Sequence, residues 1–198
     1  MKSWYKKFIL VAFSLMLVLP LSVNAAGAAE KPTLTAEQIS ERLSEIGNSY
    51  EVGQLLSDED AEFVKTYALK PASTGAIAPL SAKTGNFEGG LGYVELTGTV
   101  TVDLGIINNS ISGNLMVRDS GQTYHKSMGS TAELRCFGVF GEGGTGIGLV
   151  YSKDYSNSGA NVNYNKNVFS DGFTASVAYY TVDVRGLVDG NSFTATAN

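Results

Sequence analysis

The 198-residue chain has one cysteine, one histidine and one tryptophan, and only 17% of its residues are charged. Cys136 by itself can close no intramolecular disulfide, so stability has to come from packing. One cysteine and one histidine do not make the clustered ligand set of a zinc site. His125 is also the only side chain suited to proton transfer near neutrality. It sits in Thr-Tyr-His-Lys-Ser, and no G-x-S-x-G elbow accompanies it, so it reads as an exposed surface residue. Cys136 reads as a small buried hydrophobe on a strand. These shortages remove most catalytic and metal-dependent chemistries and leave a non-enzymatic protein, with no cofactor, as the leading expectation.

The one tryptophan, Trp4, lies in a segment with the marks of an export signal. Lys2, Lys6 and Lys7 form a positive start, Phe8 to Leu19 is an apolar run closed by Pro20, and Val23-Asn24-Ala25 offers the small residues of a cleavage site. The apolar run is too short for a comfortable membrane span. Residues 1–25 are therefore expected to be a signal peptide cleaved near Ala25, giving a secreted protein. With three of the 14 Lys and Arg lost and all 19 Asp and Glu kept, the exported chain carries a net charge of −8. A charge of that sign argues against nucleic acid as a partner.

Residues 26–70 read as an acidic helical segment. Thr35 and Gln38 form a capping box, Ile39, Leu43 and Ile46 follow at helical spacing, and Gly47 stands where a glycine stop belongs. A second helix is expected after Ser57, with Asp58, Glu59 and Asp60 at its positive end and Ala61, Val64, Tyr67 and Ala68 on its apolar side, ended by Pro71. The acidic run lacks the alternating ligands and glycine of a calcium loop. Such a pair does not fold alone, so it is a pro-segment, a spacer or a flap docked on the next domain. Residues 71–82, with two prolines and small residues, read as a linker.

Beyond it the composition changes. Gly27, Gly47, Gly53 and Gly75 are the only glycines before residue 83, and the other 19 follow. Tyr93 to Leu104 alternates strictly: Val94, Leu96, Gly98, Val100, Val102 and Leu104 share one face, and Thr, Glu, Asp and Tyr share the other. That is a long strand with one dry side. Further strands are expected over Ser110–Asp119, Gln122–Met128, Thr131–Phe140, Ile147–Tyr151, Ala160–Phe169, Phe173–Val184 and Ser192–Ala197. Asn108-Asn109, Ser120-Gly121, Asp171-Gly172 and Asp189-Gly190 are read as turns, and Asp154–Gly159 as a polar loop. About eight short strands over residues 83–198 imply an all-β domain: a compact eight-stranded antiparallel barrel, or a two-sheet sandwich, with a side-chain-filled interior. A porin-type barrel would present apolar residues and aromatic girdles outward, whereas this outward face is rich in Thr, Ser and Asn.

Three further patterns bear on chemistry. Gly-Glu-Gly-Gly-Thr-Gly-Ile-Gly (141–148) leads into a strand without a following Lys, so it reads as a hairpin rather than a phosphate loop. Glu88, Glu95, Glu133 and Glu142 could supply paired carboxylates for an extracellular hydrolase, though each also fits a solvated strand or loop. Tyr151, Tyr155, Tyr164, Tyr179 and Tyr180 could line a contact surface or groove for a sugar or lipid, against the ordinary preference of Tyr for strands.

Gly148-Leu149-Val150-Tyr151-Ser152-Lys153-Asp154, the Val/Tyr strand Asn161–Phe169 and the aromatic strand Gly172–Val182 together resemble the Vap family of secreted virulence-associated proteins. Phe-Gly-Val-Phe-Gly-Glu-Gly-Gly is similar to that family's hairpins. The resemblance covers about the last 60 residues well and implies an eight-stranded barrel without an enzymatic pocket, acting through membranes or host compartments. It carries over no functional residue. The expectation for function is therefore a secreted, non-enzymatic barrel acting by surface contact with membranes or other cells. A binding module for a small ligand or glycan is the alternative, and a hydrolase the second alternative.

Overall fold

The computed structural model describes residues 34–71, 82–141 and 144–197. The expected signal peptide and most of the expected linker lie outside them. Two helices come first, α1 (Ala36–Ser49) and α2 (Asp58–Tyr67). Eight strands follow: β1 (Lys83–Leu91), β2 (Val94–Leu104), β3 (Asn108–Asp119), β4 (Met128–Phe140), β5 (Gly146–Gly159), β6 (Tyr164–Thr174), β7 (Tyr179–Val188) and β8 (Asn191–Ala197). They form one antiparallel sheet in the order β5-β4-β7-β8-β1-β2-β3-β6, curled into a nearly closed barrel. Inward residues such as Leu96, Leu115, Leu134, Cys136 and Val184 are fully buried and fill the centre. Burial also pushes the Cys136 thiol above its ordinary value, so it stays a protonated hydrophobe.

Several local expectations fail for identifiable reasons. Gln122–Met128 is not a strand of its own: Met128 begins β4, and before it only His125 makes a bridge, to Val162. Asn108-Asn109 begins β3, and the turn is Gly105–Ile107. Asp154–Gly159 is not a loop, because its polar residues are outward or at an edge of β5, and Asp171-Gly172 lies within β6. Gly47 does not stop α1, which runs on to Ser49. Its missing side chain has a packing reason instead: a Cβ there would meet Arg135 Cγ at 2.7 Å.

The capping box is formed, with Thr35 N donating to Gln38 Oε1 (3.0 Å) and Gln38 N to Thr35 Oγ1 (3.2 Å), and Ser57 caps α2. The helices dock on the outer face of β4, β5 and β7. There Leu43, Ile46, Leu56 and Val64 pack on Phe137, Ile147 and Leu149 as a second core. A bulge between Cys136 and Phe137 makes this possible: Cys136 pairs with Tyr151 but Phe137 pairs with Leu149, so β5 gains a residue and turns Ile147 and Leu149 outward. The segment between the helices adds backbone to an open edge. Leu149 N donates to Gln54 O (3.1 Å) and Leu56 N to Ile147 O (2.9 Å). Beyond α2, Leu69 pairs in the same way with Tyr180 where β8 has ended. Both contacts satisfy strand edges that would otherwise be unpaired.

Candidate functional site

No backbone ladder joins β5 to β6 among the described residues, and side chains close this seam instead. The inward residues of β5 at the seam are Tyr151, Lys153 and Tyr155; those of β6 are Asn167, Phe169, Asp171 and Phe173. Tyr151 stacks on Phe173 with ring centres 4.0 Å apart, and Tyr155 on Phe169 at 4.7 Å. Asp171 Oδ2 accepts from Lys153 Nζ (2.6 Å), Tyr155 Oη (3.0 Å) and Tyr151 Oη (3.2 Å). Lys153 and then Tyr155 hold the Asp171 carboxyl below its ordinary value, and burial raises both tyrosines. Amides do the work of a ladder: Asn167 Nδ2 donates to Tyr155 O (2.9 Å) and Ser130 O (3.1 Å), and Asn157 Nδ2 to Lys166 O (2.8 Å).

The five tyrosines therefore do not form one groove. Tyr151 and Tyr155 join in the seam. Tyr180 points into the barrel, and its neighbour Tyr179 points out beneath the helices, with Lys70 Nζ 5.6 Å from its ring centre. Tyr164 is exposed at the far end of β6. Among the carboxylates, Glu88 and Glu95 lie on the bare outer face of β1 and β2, Glu133 is buried beneath α1, and Glu142 lies outside the described residues.

His125 is not a free surface residue. Its Nδ1 is 2.9 Å from Asp189 Oδ2 and its Nε2 2.8 Å from Asp119 Oδ2, so it clamps the β7–β8 turn to the end of β3. Two carboxylates on two ring nitrogens require both to carry protons. The hydrogen bonds to Asp189 and Asp119 accordingly raise the imidazolium above its ordinary value. An open depression of about 310 Å³ beside it is lined by Leu91, Tyr93 and Val188 as well as this clamp. The clamp's hydrogen-bonding groups are occupied with one another, which leaves little there to recognise a ligand.

The opposite end of the barrel carries the feature that alternation alone does not reveal. Ile106 and Ile107 form the tip of the β2–β3 hairpin and are 78% and 51% exposed. The tip is built to hold them there. Buried Asn109 accepts from Gly105 N (3.1 Å) and donates to Ile107 O (3.2 Å) and Ala175 O (2.9 Å), while Ala175 N donates to Ile107 O (2.9 Å). Val139, also exposed, is the penultimate residue of β4 at the same end. Two adjacent isoleucines after a glycine interrupt the strict alternation of the preceding strand. That break was the available signal, since both could not face inward.

A polar layer lies beneath α1. Ser40 Oγ donates to Asp183 Oδ1 (2.5 Å), Arg185 Nη2 to Ser44 Oγ (2.8 Å), and Arg135 Nη2 to Asn48 Oδ1 (2.9 Å). Burial raises the Asp183 carboxyl above its ordinary value. Glu133 Oε2, Arg135 Nε, Thr181 Oγ1 and Asp183 Oδ2 are buried without a hydrogen-bond partner among the described residues. An unpaired buried polar group costs about 1–3 kcal/mol. No helix among the described residues is long and apolar enough to cross a membrane. The chain matches no protein-family model, no curated protein and no solved structure.

Proposed function

We propose that the exported barrel is a non-enzymatic protein that acts by contact with membrane surfaces, led by the Ile106–Ile107 tip. The observation that carries this reading is a hairpin end whose backbone is pinned by a buried asparagine while two large aliphatic side chains stand in solvent. An ordinary turn gains nothing from such a pair, whereas a lipid surface rewards it. Burying an isoleucine contributes about 1.5–3 kcal/mol. Two therefore give a weak, reversible contact, of the order of the marginal binding of one myristoyl chain. The resemblance of the last 60 residues to the Vap proteins supports the same role.

Flotation with phosphatidylcholine vesicles, and dye release from them, at neutral and mildly acidic pH test it. The protein is expected to float, and replacing Ile106→Ser and Ile107→Ser together to weaken flotation about tenfold or more. No flotation at either pH would end the proposal.

A further inference from the structure

We infer that the α1–α2 segment is a releasable cover over a larger lipid-contact face at the same end of the barrel as the hairpin tip. This rests on the membrane reading above and extends it to a second surface and to its control.

Position is the first argument. The antiparallel register puts Phe137 of β4, Ile147 and Leu149 of β5 and Tyr179 of β7 toward the same end of the barrel as Ile106 and Ile107. Residues 175–178 run from one group to the other: Ala175 N donates to Ile107 O and Ala178 N to Phe137 O. An apolar strip of Phe137, Ile147, Leu149 and Tyr179 thus lies beneath the helices at the end of the barrel where the tip is bare.

The second argument is the manner of covering. Half of the interface is apolar, through Leu43, Ile46, Leu56 and Val64. The other half sets the small polar side of α1, Ser40, Ser44 and Asn48, on the charged layer of Glu133, Arg135, Asp183 and Arg185. Arg135 Nε and Asp183 Oδ2 of that layer, and Thr181 Oγ1 beside it, have no hydrogen-bond partner among the described residues, and Glu133 Oε2 keeps only a 3.5 Å ion pair with Arg135, so closure leaves these atoms poorly compensated for lost water. Opening rehydrates them and exposes the apolar strip. Water rewards only the first change, and a membrane rewards both. The closed form is therefore the state in solution, and lipid is the ligand that shifts the balance. The two short backbone pairings, Gln54–Leu56 on β5 and Leu69 on β7, are contacts a moving segment can make and break without disturbing the barrel ladders.

Hydrogen exchange of the exported chain, with and without phosphatidylcholine vesicles, decides between a cover and a fixed layer. On vesicles the amides of α1, together with Leu56 and Leu149, are expected to exchange roughly tenfold faster or more, while β2 and β3 keep their protection. Flotation with unchanged exchange in α1 would overturn the cover and leave the membrane reading standing. Absence of flotation would remove both. A second arm uses Ser40→Cys with Asp183→Cys: the oxidised pair, left with the Ile106–Ile107 tip alone, is expected to float more weakly than the wild type, and reductant to restore binding. A cross-linked chain that floats like the wild type would also overturn the cover.

Discussion

The two halves of the barrel wall are the same kind of sheet in different surroundings. β1, β2, β3 and β6 turn a bare outer face to water, where Thr84, Thr101, Ser112 and Ser170 stand side by side across four strands. β4, β5 and β7 turn theirs to the helices, and β4 is buried on both sides over most of its length. A strand wet on one face needs apolar residues only at every second position. A strand dry on both must also place something on the second face, and here that is Phe137 beside the charged pair Glu133 and Arg135. The sheet is thus able to bear a polar wall on either half, but only the covered half surrenders the hydration of its charges.

Truncation separates the halves most sharply. Phe137→Ala is expected to cost about 3–5 kcal/mol, since it removes a fully buried ring shared by barrel and helices. Thr99→Ala, on the bare face of β2, is expected to stay within about 0.5 kcal/mol. Urea unfolding of both reads the difference, and equal midpoints would show that the helices contribute nothing to the outer face of β4.

The seam where the two halves meet without a ladder comes next. Asn167→Ala leaves the carbonyls of Tyr155 and Ser130 without their amide donor, at an expected cost of about 1–3 kcal/mol. Faster exchange of seam amides in β5 and β6, compared with those between β2 and β3, is expected in the same variant. A neutral substitution would mean that the ring stacks, the Asp171 cluster and the Asn157 amide hold the edges together without Asn167. The smaller effect has the opposite sign: Thr181→Val removes an unpartnered buried hydroxyl beneath α1 and is expected to stabilise by about 1 kcal/mol.

The contrast also governs what could be read in advance. β2 and β3 were legible because one dry face prints alternation directly, and α1 and α2 because Thr35 and Ser57 announce their starts. The end of β5 was not, since its Ser, Asp and Asn residues face water or the seam and mimic a loop. The register of Tyr151 against Leu149 depends on a bulge, which no local pattern marks. The tyrosines were visible as residue types but not as a site, because Tyr179 and Tyr180 are neighbours in sequence that point to opposite sides of the wall. His125 was missed because its partners, Asp119 at the end of β3 and Asp189 in the β7–β8 turn, are far apart in sequence.

That clamp yields the prediction of smallest expected size and clearest sign. The folded imidazolium, bonded to Asp189 and Asp119, titrates above the unfolded reference of about 6.5. A raised value means that the folded state holds its proton more tightly, so the stabilisation is complete below the unfolded value and is lost as pH rises through the folded one. The two aspartates are lowered, chiefly by His125, and their share is lost only as pH falls below the ordinary carboxylate value. Melting temperature is therefore expected to decline on going from mildly acidic to mildly alkaline buffer. His125→Asn is expected to flatten that decline while lowering the acidic plateau, because an uncharged amide cannot serve both carboxylates as a cation. A variant that keeps the wild-type slope would place the titrating group elsewhere.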